Sequence, residues 1–141
     1  MDQALFQQLA EIQVRPIADR PGQILYNALL DRLTPHGTAP SPRYDLRTQL
    51  TIAQSILGVK RDATTTRARL TATATFTLED RFGPARVFTL TRISSYSQTD
   101  SGYATLTAEQ DALRRSLREI AEDAKIRLAF LLRTSVTAPT P

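Results

Sequence analysis

Residues 68–78 read Ala-Arg-Leu-Thr-Ala-Thr-Ala-Thr-Phe-Thr-Leu, with every even position apolar and every odd one Arg or Thr. Successive side chains of a β-strand point to opposite faces, so this segment predicts an amphipathic strand whose apolar side must be covered. Gly58 with Lys60-Arg61-Asp62 marks a turn before it, and Glu79-Asp80-Arg81-Phe82-Gly83-Pro84 marks a turn after it. The result is an antiparallel meander with strands at 44–56, 65–79 and 86–96. In the first of these Leu46, Leu50 and Ile52 point inward. The last has mixed parity, Phe88 and Leu90 favouring one face and Val87 and Ile93 the other, which predicts a bulge or two-sided burial near Thr91.

The flanks supply the cover. Residues 9–17 alternate Ile12 and Val14 against Glu11, Gln13 and Arg15, a short strand that Pro16 confines to an edge or an end. Asp19 is placed to cap a helix at 20–34, with Pro21 in its first turn and Ile24, Leu25, Ala28, Leu29 and Leu33 as its apolar stripe. Pro35 and Gly37 end it, and 37–42 is a loop. After a second loop at Ser97–Gly102, Thr107 with Gln110 forms a capping box for a helix at 107–133. Its stripe is Leu113, Leu117, Ile120, Ala124, Leu128 and Leu131, opposite a solvated charged face. Residues 134–141, with Pro139 and Pro141, are expected to form a flexible tail.

A chain of 141 residues has room for one such core, so residues 1–133 are expected to form a single domain. The fold class is α+β: two helices packed on one face of a four-stranded, largely antiparallel sheet, in the order β-α-β-β-β-α. Residues 64–79, if extended, span roughly 50 Å, against about 37 Å for a compact sphere of this length. The body is therefore elongated or the hairpin protrudes.

Catalytic and metal chemistry find little to work with. There is no cysteine, which excludes thiolate sites and disulfides, and the one histidine, His36, stands in a loop next to Gly37. The acidic pairs Glu79-Asp80 and Glu122-Asp123 do not converge as a dyad, and no phosphate loop or dinucleotide fingerprint occurs. Expected, then, are no enzyme, no cofactor and no metal. Charge says more. Residues 43–95 hold nine basic groups against Asp45, Asp62, Glu79 and Asp80, a net +5 where the whole chain is +4. Arg67 and Arg69 share a face with Thr71, Thr73, Thr75 and Thr77, guanidinium forks beside hydroxyls, and Arg47 joins that face from the neighbouring strand if its leucines point inward. These three arginines are candidate phosphate contacts; a plain solvated sheet face is the alternative. Nucleic acid is the obvious partner of a basic sheet, but single-strand platforms need aromatics for stacking, and Tyr44, Phe76 and Phe88 fall on the apolar side.

The blocks Asp19-Arg-Pro-Gly-Gln-Ile-Leu-Tyr-Asn-Ala-Leu-Leu-Asp-Arg-Leu33, Pro42-Arg-Tyr44, Thr66-Arg-Ala-Arg-Leu-Thr-Ala72, Ser94-Ser-Tyr96 and Tyr103-Ala-Thr105 follow one another in the chain. Asp111-Ala, Ile120-Ala and Arg127-Leu128 follow in the last helix. Their order and spacing resemble the lipopolysaccharide-assembly lipoprotein (LptE) family in its alphaproteobacterial form, over about residues 9–133. The resemblance implies a small sandwich of two helices on a four-stranded sheet. It further implies a lipoprotein of the outer membrane's periplasmic face that plugs the LptD β-barrel, assists its assembly and binds lipopolysaccharide. Met1-Asp2-Gln3-Ala4 shows neither a signal segment nor the family's lipid-bearing cysteine, so the expectation is a chain begun after that cysteine, its lipid anchor absent. A basic-sheet nucleic-acid module and an interaction domain with no ligand of its own are the competing functions.

Overall fold

The structure, a computed structural model, describes residues 3–59, 66–99 and 101–137. Its elements are α1 (Gln3–Ala10), β1 (Ile12–Val14), α2 (Asp19–Leu33), β2 (Tyr44–Val59), β3 (Thr66–Asp80), β4 (Gly83–Gln98) and α3 (Gly102–Thr137). The four strands form one sheet in the order β1-β2-β3-β4, β1 parallel to β2 and the other pairs antiparallel. This is the expected α+β class with one helix more. The expected turn at Lys60-Arg61-Asp62 lies outside the described residues.

The alternation of β3 decides which side is inside. Ala68, Leu70, Ala72, Ala74, Phe76 and Leu78 are all buried, whereas Arg67 and Arg69 are exposed and the threonines between are half-buried by neighbouring strands. Over the buried face lie α2, through Leu25, Leu29 and Leu33, and α3, through Leu117, Ile120, Ala124, Leu128 and Leu132. Leu132 rather than Leu131 closes that stripe, and Leu131 is half-buried. Phe76 and Phe88 stack in this core with ring centroids 5.0 Å apart. Ala68 and Leu70 belong to a smaller cluster with Tyr96 and Ala112 toward the far end of the hairpin.

Three cross-links fix the course of α3. The Ser94 and Ser116 hydroxyls are hydrogen-bonded, Arg92 donates to Asp123, and Arg86 donates to the Leu131 carbonyl at 3.1 Å. From Ser116 to Leu131 the helix advances about 23 Å, and from Ser94 back to Arg86 the strand covers about 26 Å. Helix and strand keep pace, so α3 runs antiparallel along β4.

Several local expectations need correction. The strand at 9–17 is only Ile12–Val14, because Leu9 and Ala10 end α1, whose buried Leu5 and Leu9 join the core. Asp19 is not the cap: it is the first residue of α2 at φ 70°, and Ala18 precedes it without a side-chain cap. Asp is among the few residues that tolerate this region, and its charge suits a helix N-terminus. The capping box at Thr107 lies inside α3. That helix starts one and a half turns earlier, where the Ser101 hydroxyl accepts from the Ala104 amide at 3.2 Å. Near Thr91 there is no bulge; β3 and β4 stay in register from Thr66↔Gln98 to Leu78↔Arg86, and Val87 and Ile93 are simply exposed. α3 continues to Thr137, past the expected end at 133, and residues 138–141 of the expected tail lie outside the described residues.

Truncating Phe76, which is fully buried against Phe88, is expected to cost about 3 to 5 kcal/mol in denaturant unfolding. Gly22 gives a second test. A Cβ there would meet the backbone carbon and oxygen of Ile17 at 2.8 Å, so Gly22→Ala is expected to destabilise by about 1 to 3 kcal/mol, despite alanine's better helix propensity.

Candidate functional site: the open face of the sheet

The face turned away from the helices carries Gln49 and Thr51 from β2, Arg67 to Thr77 at odd positions from β3, and Thr89, Thr91 and Ser95 from β4. Hydroxyls dominate it, joined across strands where Thr75 and Thr89 lie 3.3 Å apart. Val87 and Ile93, 64% and 62% exposed, are apolar islands on the edge strand. The aromatic rings of Tyr44, Phe76 and Phe88 are buried on the other side, so this surface offers polar groups and guanidinium forks rather than stacking platforms.

The three candidate arginines all reach this face, but they do not form one site. Arg47 pairs in register with Thr77 and makes an exposed ion pair with Glu79 at 3.1 Å. Arg69 stands opposite Ser55 and Ser95, eight residues further along β3 from Thr77, a separation of about 26 Å. The leucines of β2 do point inward, as Arg47 requires; the lengthwise register keeps it apart. Arg67 and Arg69 remain together at the far end, about 7 Å apart along the strand. Arg67 donates to the Ser95 hydroxyl at 3.0 Å and reaches that of Ser97 at 3.5 Å. Among the described residues neither Arg67 nor Arg69 makes a salt bridge. Hydroxyls hold the Arg67 fork in place.

Several other basic residues near the sheet are engaged within the fold. Arg92 turns inward to Asp123 and Glu119, and Arg15 pairs with Asp45 at 2.8 Å. Arg43 forms a two-pronged contact with Asp80, at 2.9 and 3.2 Å, and lies over the rings of Tyr44 and Phe82. That clasp ties the start of β2 to the end of β3. It lines a cavity of about 250 Å³ with Gln13, Asp45 and Glu79, where acids and arginines already neutralise one another. The hydrogen bonds from Arg43 hold the Asp80 carboxyl below its ordinary value, while burial pushes the Tyr44 phenol up. Sequence reasoning missed this clasp. Arg43 precedes β2 and Asp80 ends β3, so only the antiparallel register reveals them as neighbours. No cluster of three metal-ligating side chains occurs among the described residues.

Comparison with known proteins adds the following. The model of the LptE family, described as lipopolysaccharide-assembly, matches residues 9–128. No curated protein sequence matches the chain significantly. Among solved structures the fold is similar to that of a candidate lipoprotein from Caulobacter crescentus, at 23% identity and a TM-score of 0.68, covering 97% of this chain and 99% of that one. A minor lipoprotein from Acinetobacter baumannii is 23% identical with a TM-score of 0.59, over 84% of this chain and 87% of that one. The rare lipoprotein B from Shewanella oneidensis is 12% identical with a TM-score of 0.62, over 89% and 96%.

The clasp makes stability depend on acid. A carboxyl whose folded-state pKa is depressed contributes stability above its unfolded value, and that contribution is lost as pH falls through the folded value. Asp80→Asn is therefore expected to lower stability at neutral pH and to flatten its decline below about pH 4, as followed by urea unfolding at a series of pH values.

Proposed function

The chain belongs to the LptE family of lipopolysaccharide-assembly proteins, and from that membership we propose that it is a non-catalytic subunit of lipopolysaccharide assembly at the periplasmic face of the outer membrane. In this reading it seats in the lumen of the LptD β-barrel, assists the barrel's assembly and binds lipopolysaccharide. The observation that carries it is the family match over residues 9–128. Physical chemistry supports it from the side of the open face. A barrel lumen is polar and filled with water, and the threonine-rich face of β3 is a surface made to stay wet. Arginine suits the contacts, since its planar fork pairs with carboxylate or phosphate in a bidentate way and is weakly hydrated.

Within this function Arg67 and Arg69 are the lipopolysaccharide phosphate contacts. Two forks about 7 Å apart can engage separate anionic groups, with the hydroxyls of Ser95 and Ser97 already orienting Arg67. Arg47, paired with Glu79 far down the sheet, stands outside this contact.

Co-purification tests the partner: a tagged chain expressed in its native host is expected to retain LptD stoichiometrically, and its depletion to raise outer-membrane permeability. Intact barrel assembly and unchanged permeability on depletion would overturn the role. The phosphate contact is tested by comparing wild type with Arg67→Ala/Arg69→Ala, both checked for folding by circular dichroism, in binding to purified lipopolysaccharide. The variant is expected to bind roughly tenfold more weakly at low salt, with a shallower salt dependence. Equal affinity at every salt concentration would remove both arginines from the site. Retention of LptD with no lipopolysaccharide binding by wild type would leave an interaction domain with no ligand of its own.

A further inference from the structure

With Leu117, Ile120, Ala124, Leu128 and Leu132 buried against the sheet, the outer side of α3 should present only polar groups. It does not. Ile126 and Phe130, one turn apart, are 62% and 63% exposed. At about 100° per residue, Lys125, Ala129, Arg133, Ile126 and Phe130 fall within one sector about 140° wide. Together with the Leu5 side of α1 they line a mostly apolar groove of about 500 Å³.

Among the described residues lining the groove, the charged ones are Lys125, Arg133 and Glu122. Residues 124–133 contain Lys125, Arg127 and Arg133 and no acidic residue. Glu122, at the groove's upstream end, is ion-paired with Arg32 of α2 at 3.0 Å, and the adjacent Asp123 is held by Arg92. Among the described residues an apolar strip is thus bordered by Lys125 and Arg133, with Glu122 and Asp123 compensated by Arg32 and Arg92.

We infer that this groove is a docking surface for an anionic lipid bilayer, Ile126 and Phe130 entering below the headgroups while Lys125 and Arg133 meet the phosphates. The layering matches: long Lys and Arg stems lie along apolar surface and carry their charge outward to headgroup level. No described helix is long and apolar enough to cross a membrane, so the contact is one of lying on the surface. A second copy of the chain fits poorly, because it would bring the same cations face to face. The inference adds a surface to the barrel subunit proposed above and stands on the groove alone.

Flotation of the full chain with vesicles tests it. Wild type is expected to float with phosphatidylethanolamine vesicles containing phosphatidylglycerol, less at high salt, and far less with phosphatidylcholine alone. Ile126→Ser/Phe130→Ser is expected to weaken binding roughly tenfold or more, and Lys125→Gln roughly fivefold. Both changes lie on solvated positions; if the double variant loses its circular dichroism signal, Lys125→Gln decides alone. No flotation of wild type, equal binding to both vesicle types, or wild-type affinity in the variants would overturn the inference. So would capture of a short-chain phospholipid below its micelle threshold without vesicle binding, which would make the groove an acyl-chain pocket. LptD capture is measured on the same variants. Its loss with vesicle binding unchanged would overturn the inference and assign the groove to the barrel, whereas vesicle binding by a wild type that fails to retain LptD would count against the barrel reading alone.

Discussion

Everything in this molecule depends on the period-two alternation of the central strand β3. It pairs on both edges along nearly its whole length, so its two faces become the two faces of the sheet. A slip of one residue would put six buried side chains into water and six polar ones into the core. Burying one leucine or phenylalanine is worth about 1.5 to 3 kcal/mol, enough for Leu70, Phe76 and Leu78 to fix the register. The alanines do different work. Ala72 and Ala74 on the sheet, with Ala121 and Ala124 on α3, are all fully buried and small, which lets the helix lie close along the strand rather than stand off it.

What the sequence made legible was what short-range periodicity encodes. The three long strands, the inward set on β3 and the two large helices all follow from spacing. Element ends did not, because they rest on contacts the pattern does not carry. The start of α3 depends on Ser101, which is followed three residues later by Ala104 rather than Glu or Gln and so lacks the usual signature. α1 was missed because Leu5 and Leu9 point it toward a core formed by residues far along the chain. On β4 the mixed parity was read as irregularity; the strand is regular, and Val87 and Ile93 are outward apolar residues. Periodicity shows which residues share a face, but not whether the minority face is covered.

Charge obeys the same distinction between count and placement. A net +5 in the strand region suggested a basic sheet, yet Arg43, Arg47 and Arg92 are tied to particular acids and Arg86 to a backbone carbonyl. Exposed pairs such as Arg47–Glu79 contribute about 0 to 1 kcal/mol, so that contact sets local charge more than stability. The Arg43–Asp80 clasp is different in kind: two-pronged, with an Asp80 side chain only 14% exposed, it joins two strand ends beside the buried Tyr44 and Leu78. Arg67 and Arg69 make no salt bridge among the described residues, and the strand register sets them side by side on the open face. Arg47 satisfied every condition of facing and failed on distance along the strand, a quantity alternation does not contain.

That same register relates the two surfaces that stand out from the rest. The groove of α3 lies where Leu131 meets Arg86, near the turn between β3 and β4, whereas Arg67 lies beside Ser97 at the other end of β4. Eleven strand residues separate Arg86 from Ser97, about 36 Å, which is more than the roughly 30 Å of a bilayer's hydrocarbon layer. A compact sphere of this length, about 37 Å across, could hold two such sites only at opposite poles, not along the two faces of one sheet. The long strands can, because cross-strand pairs stabilise a sheet locally along its whole length, and α3 follows them without needing a second core. Elongation is thus the direct outcome of the alternation in β3, and it sets an apolar, cationic surface at one end and paired guanidinium forks at the other, on opposite sides of the sheet.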